Sequence, residues 1–491
     1  MLLGLFLPSF LLITNPGMII ILDAQECSSG VVGMVISTKR MGTRKNIHGL
    51  IGLAILIVAQ LLLLKKVEPL ASWFYYFAWW PYILIADSII YRIKGNSLLM
   101  DRRGEFMVMS LCSVVIWTFF EAVNLVMQNW YYVNVIPLVQ VRWPGYFIAY
   151  ATVLPGLFET TELLESLGLF KNSRVTPRVL SIGAHLFLFI LGSLCLASVF
   201  FFPAYCFGLI WCALTFLLEP INYYGGVKSI LRDWERGTLR KLYLLLTAGL
   251  VCGMLWEFWN FWATTKWIYT VPFFEELKLF EMPLLGFLGF PPFAVQCYVM
   301  YNFISLFRYH RCWEDDSYGL NRNKKVHFAL IATAITAGTL CCLSTFSAMD
   351  TTTVNSSWST LRDLPGIPPA AVHRMSALGI RSPQALLSRA SLDYERDELA
   401  LLLSVPAGDM ALWLKAAELS ELKGMGAGNA SMLIKGGIHD VLSLANQQAE
   451  ELHQRLSVLH RGSPGTHAPP PRVPVMRVWI REAKKRTGHP G

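Results

Sequence analysis

Apolar residues in this chain fall into long runs. Nine of them lie at about 48–64, 70–91, 105–127, 145–167, 179–200, 204–224, 240–262, 283–308 and 327–347, separated by short polar or charged segments. A helix of about 20 apolar residues, rising about 1.5 Å per residue, spans the hydrocarbon layer of a bilayer. The pattern predicts an all-α, polytopic membrane bundle. Beyond residue 347 it changes. Residues 348–360, with "MDTTTVNSSWST", form a polar linker, and over 361–491 apolar positions recur at helical spacing among charged ones, as in a small soluble helical domain. Residues 1–47 fit neither pattern. "MLLGLFLPSFLLITNPGMIIIL" is apolar but interrupted by Pro8 and Pro16. It reads either as an extra membrane helix or as sequence upstream of a misplaced start near Met34 or Met41.

The runs also repeat. Asp87, Tyr91, Ser97 and Asp101 recur 132 residues later as Glu219, Tyr223, Ser229 and Asp233. Glu121, Asn124 and Pro155 recur 136 residues later as Glu257, Asn260 and Pro291. Residues 48–168 and 178–308 are thus expected to be two four-helix repeats, followed by a ninth helix at 327–347. An even number of helices per repeat gives both halves one orientation, related by an axis along the membrane normal.

Composition agrees with a membrane protein: 54% of the 491 residues are hydrophobic and 15% are charged, against roughly 25% charged in soluble proteins. The net charge of +9 is no sign of nucleic-acid binding, because it is concentrated in alternate loops. Arg92, Lys94, Arg102 and Arg103, and then Lys228, Arg232, Arg236, Arg240 and Lys241, mark the cytoplasmic side by the positive-inside rule. Nine spans from a cytoplasmic start predict a multi-pass inner-membrane protein with its C-terminal domain in the periplasm. The ten cysteines are scattered without a C-x-x-C pair, so no disulfide framework, metal site or cofactor is expected.

Candidate chemistry lies inside the runs. Glu121 and Asn124, like Glu257 and Asn260, are spaced i, i+3 and share a helix face. A bilayer tolerates such groups when they are paired, protonated or in contact with a polar cavity. They are candidates for general acid–base work, and equally for a polar clamp between helices. Asp87 and Glu219 form a second symmetric pair beside Arg92 and Lys228, where an interfacial ion pair is the plainer expectation. Glu159 is an acid of one half alone. Trp130, Tyr131, Tyr132, Trp267 and Tyr269 fit an interfacial aromatic belt; Trp130, Tyr132, Trp256, Trp267 and Tyr269 are also candidates for stacking on a substrate. Pro155, Pro291 and Pro292 should kink or break their helices.

Two resemblances extend this. "LPGIPPAAVHRMSALGI" (Leu364–Ile380) and "LKGMGAGNASMLIKGGI" (Leu422–Ile438) place Gly366 and Gly379, then Gly424 and Gly437, at equal spacing. The segment resembles tandem helix-hairpin-helix units. More closely, through "LWLKAAELSELKGMGAGNASMLIKGGIHDVLSLANQQAEELHQRL" and "VWIREAKK", it resembles a bacterial family of domains of unknown function built on that hairpin. The resemblance implies that Gly366, Gly424 and Gly426 shape hairpin backbones able to hold a phosphate. Pro368 stands where the first hairpin would have its second Gly. Mild charge and a periplasmic position favour a protein partner or packing over nucleic acid. The membrane part resembles, in outline, the tandem-repeat lycopene cyclases of bacteria through Trp256-Glu257, Trp267 with Tyr269, and Leu154-Pro155-Gly156-Leu157-Phe158-Glu159. Phe290-Pro291-Pro292-Phe293 lacks the acid of that pattern. The resemblance implies acid–base chemistry on a lipid or isoprenoid. The alternative is a non-catalytic transporter or membrane scaffold whose C-terminal domain binds a partner. Membrane lipids are the expected surroundings in either case.

Overall fold

The computed structural model describes residues 9–15, 18–26, 32–40, 47–271, 277–308, 310–314, 328–352, 354–355, 359–462 and 470–488. It is mainly helical. The bundle is built from His48–Leu64, Phe74–Lys94, Arg103–Met127, Val153–Ser166, Ile182–Phe201, Ile210–Gly225, Arg240–Trp262, Phe290–Ser305 and Phe328–Thr352. Among the described residues, five segments are long and apolar enough to cross a membrane: Arg103–Met127, Ile182–Phe201, Pro203–Gly225, Arg240–Trp262 and Leu284–Arg308. Ile182, Phe187 and Leu194 are 78%, 63% and 60% exposed. A soluble monomer rarely shows so continuous an apolar face, whereas lipid covers it without cost.

Prolines set where two helices begin. Run 145–167 is split into Val139–Tyr150 and Val153–Ser166, with Pro155 in the first turn of the second piece. Run 283–308 opens as a 3₁₀ segment, Leu284–Gly289, before Phe290–Ser305 starts with Pro291 and Pro292. In a first turn the missing proline N–H has no helical partner to lose.

Helices pack in a recurring order. His48–Leu64 lies on Phe74–Lys94, which lies on Val153–Ser166, which lies on Arg103–Met127; Ile182–Phe201 lies on Ile210–Gly225, which lies on Phe290–Ser305, which lies on Arg240–Trp262. Val153–Ser166 also packs on Arg240–Trp262. Glycine permits such approaches: Gly156 faces the Trp79 ring, and Gly249 faces the Phe290 backbone carbonyl.

Where the Glu121 and Glu257 helices end, the chain turns into strands. Trp130–Val133 and Lys266–Tyr269 pair antiparallel, Trp130 opposite Tyr269 and Tyr132 opposite Trp267. Val354–Asn355, after the last bundle helix, adds a parallel strand beside Tyr132 and Val133. Side chains alternate across this ribbon. Trp130 and Tyr132 join the bundle core, while Tyr131, Val133 and Ile268 join a core of the C-terminal domain around Leu433, Leu452 and Trp479. A second core of that domain gathers Met375, Leu386 and Trp413. The expected aromatic belt is corrected here: Trp130 and Tyr131 are 5% and 3% exposed, folded into a ribbon between two bodies.

The N-terminal segment also departs from expectation. Ser9–Asn15, Met18–Glu26 and Val32–Arg40 form an antiparallel three-stranded sheet, where a membrane helix was one of two alternatives.

Candidate active site between the bundle and the ribbon

Asn124 and Asn260 explain why strands follow these two helices. Asn124 Oδ1 accepts from the backbone N–H groups of Asn129 and Trp130, at 2.9 and 3.3 Å, and its Nδ2 donates to the Trp130 carbonyl at 2.8 Å. Asn260 Oδ1 accepts from Trp267 N–H at 3.0 Å, and its Nδ2 donates to the Trp267 carbonyl at 2.9 Å. Each amide imitates a neighbouring strand and holds the ribbon end on its helix. Both asparagines are therefore engaged with backbone through the oxygen and the nitrogen of the amide.

The two glutamates differ. Glu121 Oε1 accepts from Trp117 Nε1 at 2.9 Å and from the Tyr132 hydroxyl at 2.5 Å, and Trp130 Nε1 lies 3.2 Å from Oε2. Trp117, Trp130 and Tyr132 thus close it in. Glu257 Oε1 accepts from the Tyr269 hydroxyl at 2.8 Å, and that hydroxyl accepts in turn from Trp267 Nε1 at 2.9 Å. Glu257 Oε2 is buried without a hydrogen-bond partner among the described residues.

Glu257 is on the wall of a cavity of about 370 Å³ beneath the ribbon. Its lining is largely aromatic, with Tyr75, Trp117, Trp130, Tyr132, Trp256, Trp267, Tyr269 and Phe293 among the rings. All five aromatic candidates from the sequence therefore face one space. The volume lies at the lower end of the roughly 300–1,000 Å³ usual for small-molecule sites. Glu121 is outside this lining, behind Trp117, Trp130 and Tyr132, which belong to it. Burial, and then the Glu257 charge, push the Tyr269 phenol well above its ordinary range, so it remains a donor at neutral pH.

Lys266 also lines the cavity. It reaches Glu281 Oε1 at 3.2 Å, and Lys423 of the C-terminal domain reaches both Glu281 oxygens at 2.6 Å. Burial draws the Lys266 ammonium down from its usual value despite Glu281. Burial pulls the Glu281 carboxyl up, but Lys423 and Lys266 outweigh it and hold the group below its usual range.

The remaining candidates lie elsewhere. Asp87 accepts from Ser97 Oγ at 2.9 Å, Leu99 N–H at 2.8 Å and His48 Nε2 at 2.9 Å. Glu219 accepts from Ser229 Oγ at 2.7 Å and Leu231 N–H at 3.0 Å. Both anchor the start of a short helix, Leu98–Asp101 or Ile230–Glu235, whose N-caps are Ser97 and Ser229. Lys228 reaches Glu314 instead, at 3.7 Å. Glu159 is buried with Asp87, Glu162 and Arg102 as its charged neighbours, far along its helix from the ribbon end. Gly366, Gly424 and Gly426 have φ of 81°, 72° and 69°, as hairpin turns require. Yet Gly424 packs on Val133, and Ala427 N–H at the next helix start donates to Ser359 Oγ at 2.8 Å. That backbone faces protein.

Lys266, Glu281 and Lys423 escaped the sequence reading because their pairing spans two regions. Tyr75 and Trp117 escaped because a single ring in an apolar run is no signal. The recurring Trp-x-Tyr, Trp130 to Tyr132 and Trp267 to Tyr269, was the cue that each Glu-x-x-Asn is followed by its own phenol.

Residues 365–486 match a family described as "Domain of unknown function (DUF4332)". No curated protein and no solved structure matches the chain.

Proposed function

We propose that this is a membrane protein in which Glu257 exchanges a proton with an apolar substrate held in the aromatic cavity. The observation that carries this is a buried carboxyl on a cavity wall, with one oxygen held by Tyr269 and the other unpartnered. A hydrophobic lining suits a lipid or isoprenoid chain, and aromatic faces favour positive charge developing on it. Protonation of a carbon–carbon double bond by Glu257 would leave a cation beside the rings, and loss of a neighbouring proton to the carboxylate would complete an isomerisation or ring closure. The likeness to lycopene cyclases belongs to this proposal.

The finer architecture is proposed with it. The matching order of helix contacts and the matching bonds of Asn124 and Asn260 support two four-helix repeats of one orientation. Within them, Glu257 keeps the reactive role and Glu121 has become a strut. The cationic groups Lys94, Arg102, Lys241 and Arg308 lie at the bundle end away from the ribbon, where they pair with Glu162, Glu314 and Glu105. Positive-inside logic then puts the ribbon and the C-terminal domain on the outer face of the inner membrane.

Dicyclohexylcarbodiimide tests the site without knowledge of the substrate. This apolar reagent adds a protonated carboxyl across its C=N bond, and acyl migration leaves a stable N-acylurea on the residue. Peptide mass spectrometry of treated membranes should find the adduct chiefly on Glu257, with a trace on Glu121 and none on Glu162. An unmodified Glu257 would overturn the proposal.

A further inference from the structure

The ribbon has two faces, and the second belongs to the C-terminal domain. Behind Trp130, Tyr132, Trp267 and Tyr269, the residues Tyr131, Val133 and Ile268 are buried in that domain's core. Three independent contacts fix the docking. Lys423 Nζ lies 2.6 Å from both oxygens of Glu281, whose neighbours Met282 and Pro283 line the cavity. Gly424 packs so closely on Val133 that an added Cβ would stand 2.8 Å from its Cγ1, at a φ of 72° that disfavours any side chain. Arg472 Nη1 donates to the Leu125 carbonyl at 3.2 Å, in the last turn of the Glu121 helix.

Two four-residue strands with a two-residue strand at one edge form too small a sheet to be stable without packing on other elements. Here the bundle covers one face and the C-terminal domain the other. We infer that the C-terminal domain is the support that positions the ribbon, with Lys423 and Gly424 as positioning residues acting through Tyr269 on Glu257 and through Trp130 and Tyr132 on Glu121. This deepens the proton-exchange reading of Glu257 but is tested separately from it.

The same carbodiimide reports on it in full-length protein in membranes. Glu121 is shielded by Trp130 and Tyr132, so it should be modified beyond a trace only when the ribbon loosens. Lys423→Glu sets a like charge against Glu281, and Gly424→Val wedges the docking face. Each should raise Glu121 modification by roughly tenfold, the change in an opening equilibrium that corresponds to about 1.4 kcal/mol. Lys423→Arg, which keeps the charge, should stay near the wild-type level. Glu162, at the far end of the bundle, should remain unmodified throughout. Glu121 that stays at the wild-type trace in both disrupted variants would overturn the inference. So would Glu162 modified together with Glu121, since the domain would then hold up the whole bundle and not the ribbon. An unmodified Glu257 in the wild type defeats the proton-exchange reading alone, because the Glu121 response is read independently.

Discussion

Buried acids occupy both ends of the bundle, but they keep different company. At the ribbon end, Glu121 and Glu257 accept from phenols and indoles, beside a cavity. At the other end, Glu162 takes Arg102 Nη2 and Lys94 Nζ, each at 2.8 Å, and Glu105 takes Arg308 Nη2 at 2.5 Å. Arg102 also donates to the Trp313 carbonyl. A carboxylate fully paired with a guanidinium has its charge and geometry settled, and so fastens helices together. A carboxyl held only by neutral donors has no cation beside it to fix its charge, and where a cavity also reaches it, as at Glu257, a substrate can meet it. The company a buried acid keeps, together with its place on a cavity wall, therefore separates fastener from reagent better than its depth does.

The contrast can be broken at several points. The largest effect is expected from Glu257→Gln, which keeps shape and hydrogen bonding but removes the transferable proton. Activity should fall by about 10²–10⁴-fold with little change in melting temperature. Lipid extracts of a deletion strain complemented with each variant would check this. A product restored as well by Glu257→Gln as by wild type would sink the proton role. Arg102→Met should do the reverse. It strands Glu162 with only Lys94 close by, at a cost of about 3–5 kcal/mol in stability, measurable by thermal unfolding of purified protein in detergent. Asn124→Ala and Asn260→Ala should each cost about 1–3 kcal/mol by leaving strand backbone unpaired, seen as faster hydrogen exchange at the Trp130 or Trp267 amide. Tyr269→Phe should lower activity by about tenfold or less, in line with about 0.5–1.5 kcal/mol for one hydrogen bond, without affecting the far end.

The smallest effect concerns pH. Glu281 is held below its ordinary value of 4.5 by Lys423 and Lys266 against the pull of burial. Its support for docking is complete above pH 4.5 and is lost as pH falls below that through the lowered value. Limited proteolysis between residues 352 and 365 should accelerate only in that acidic window, and Glu281→Gln should remove the dependence.

Helices were the legible part of the sequence. Runs at 105–127 and 240–262 lie within a few residues of Arg103–Met127 and Arg240–Trp262, because hydrophobic length alone dictates them. The ribbon was not legible. Four-residue strands rich in Trp and Tyr look the same as an interfacial belt, and their partners lie more than 130 residues apart. Of the site, the glutamates stood out because a bilayer makes a carboxyl conspicuous. The asparagines stood out for the same reason, yet their bonds run to Trp130 and Trp267 backbone. The Trp256 that precedes Glu257 distinguishes it in sequence from Glu121; the structural difference lies in which rings close over each one.

The alternation of the ribbon also sets a timetable. Its first strand is made at residue 130, its partner at 266, its flanking strand at 354 and its rear support at 423. At about 5–20 residues per second, tens of seconds pass between the first strand and the last contact. Throughout that interval the two glutamates are inserted without their finished roof. Both lie within two turns of their helix ends, Met127 and Trp262, close enough to stay near the watery boundary until the roof arrives. A newborn chain can thus have its bundle helices made while the pocket beneath the ribbon is unfinished, and synthesis of the last domain becomes the step that completes the pocket's roof.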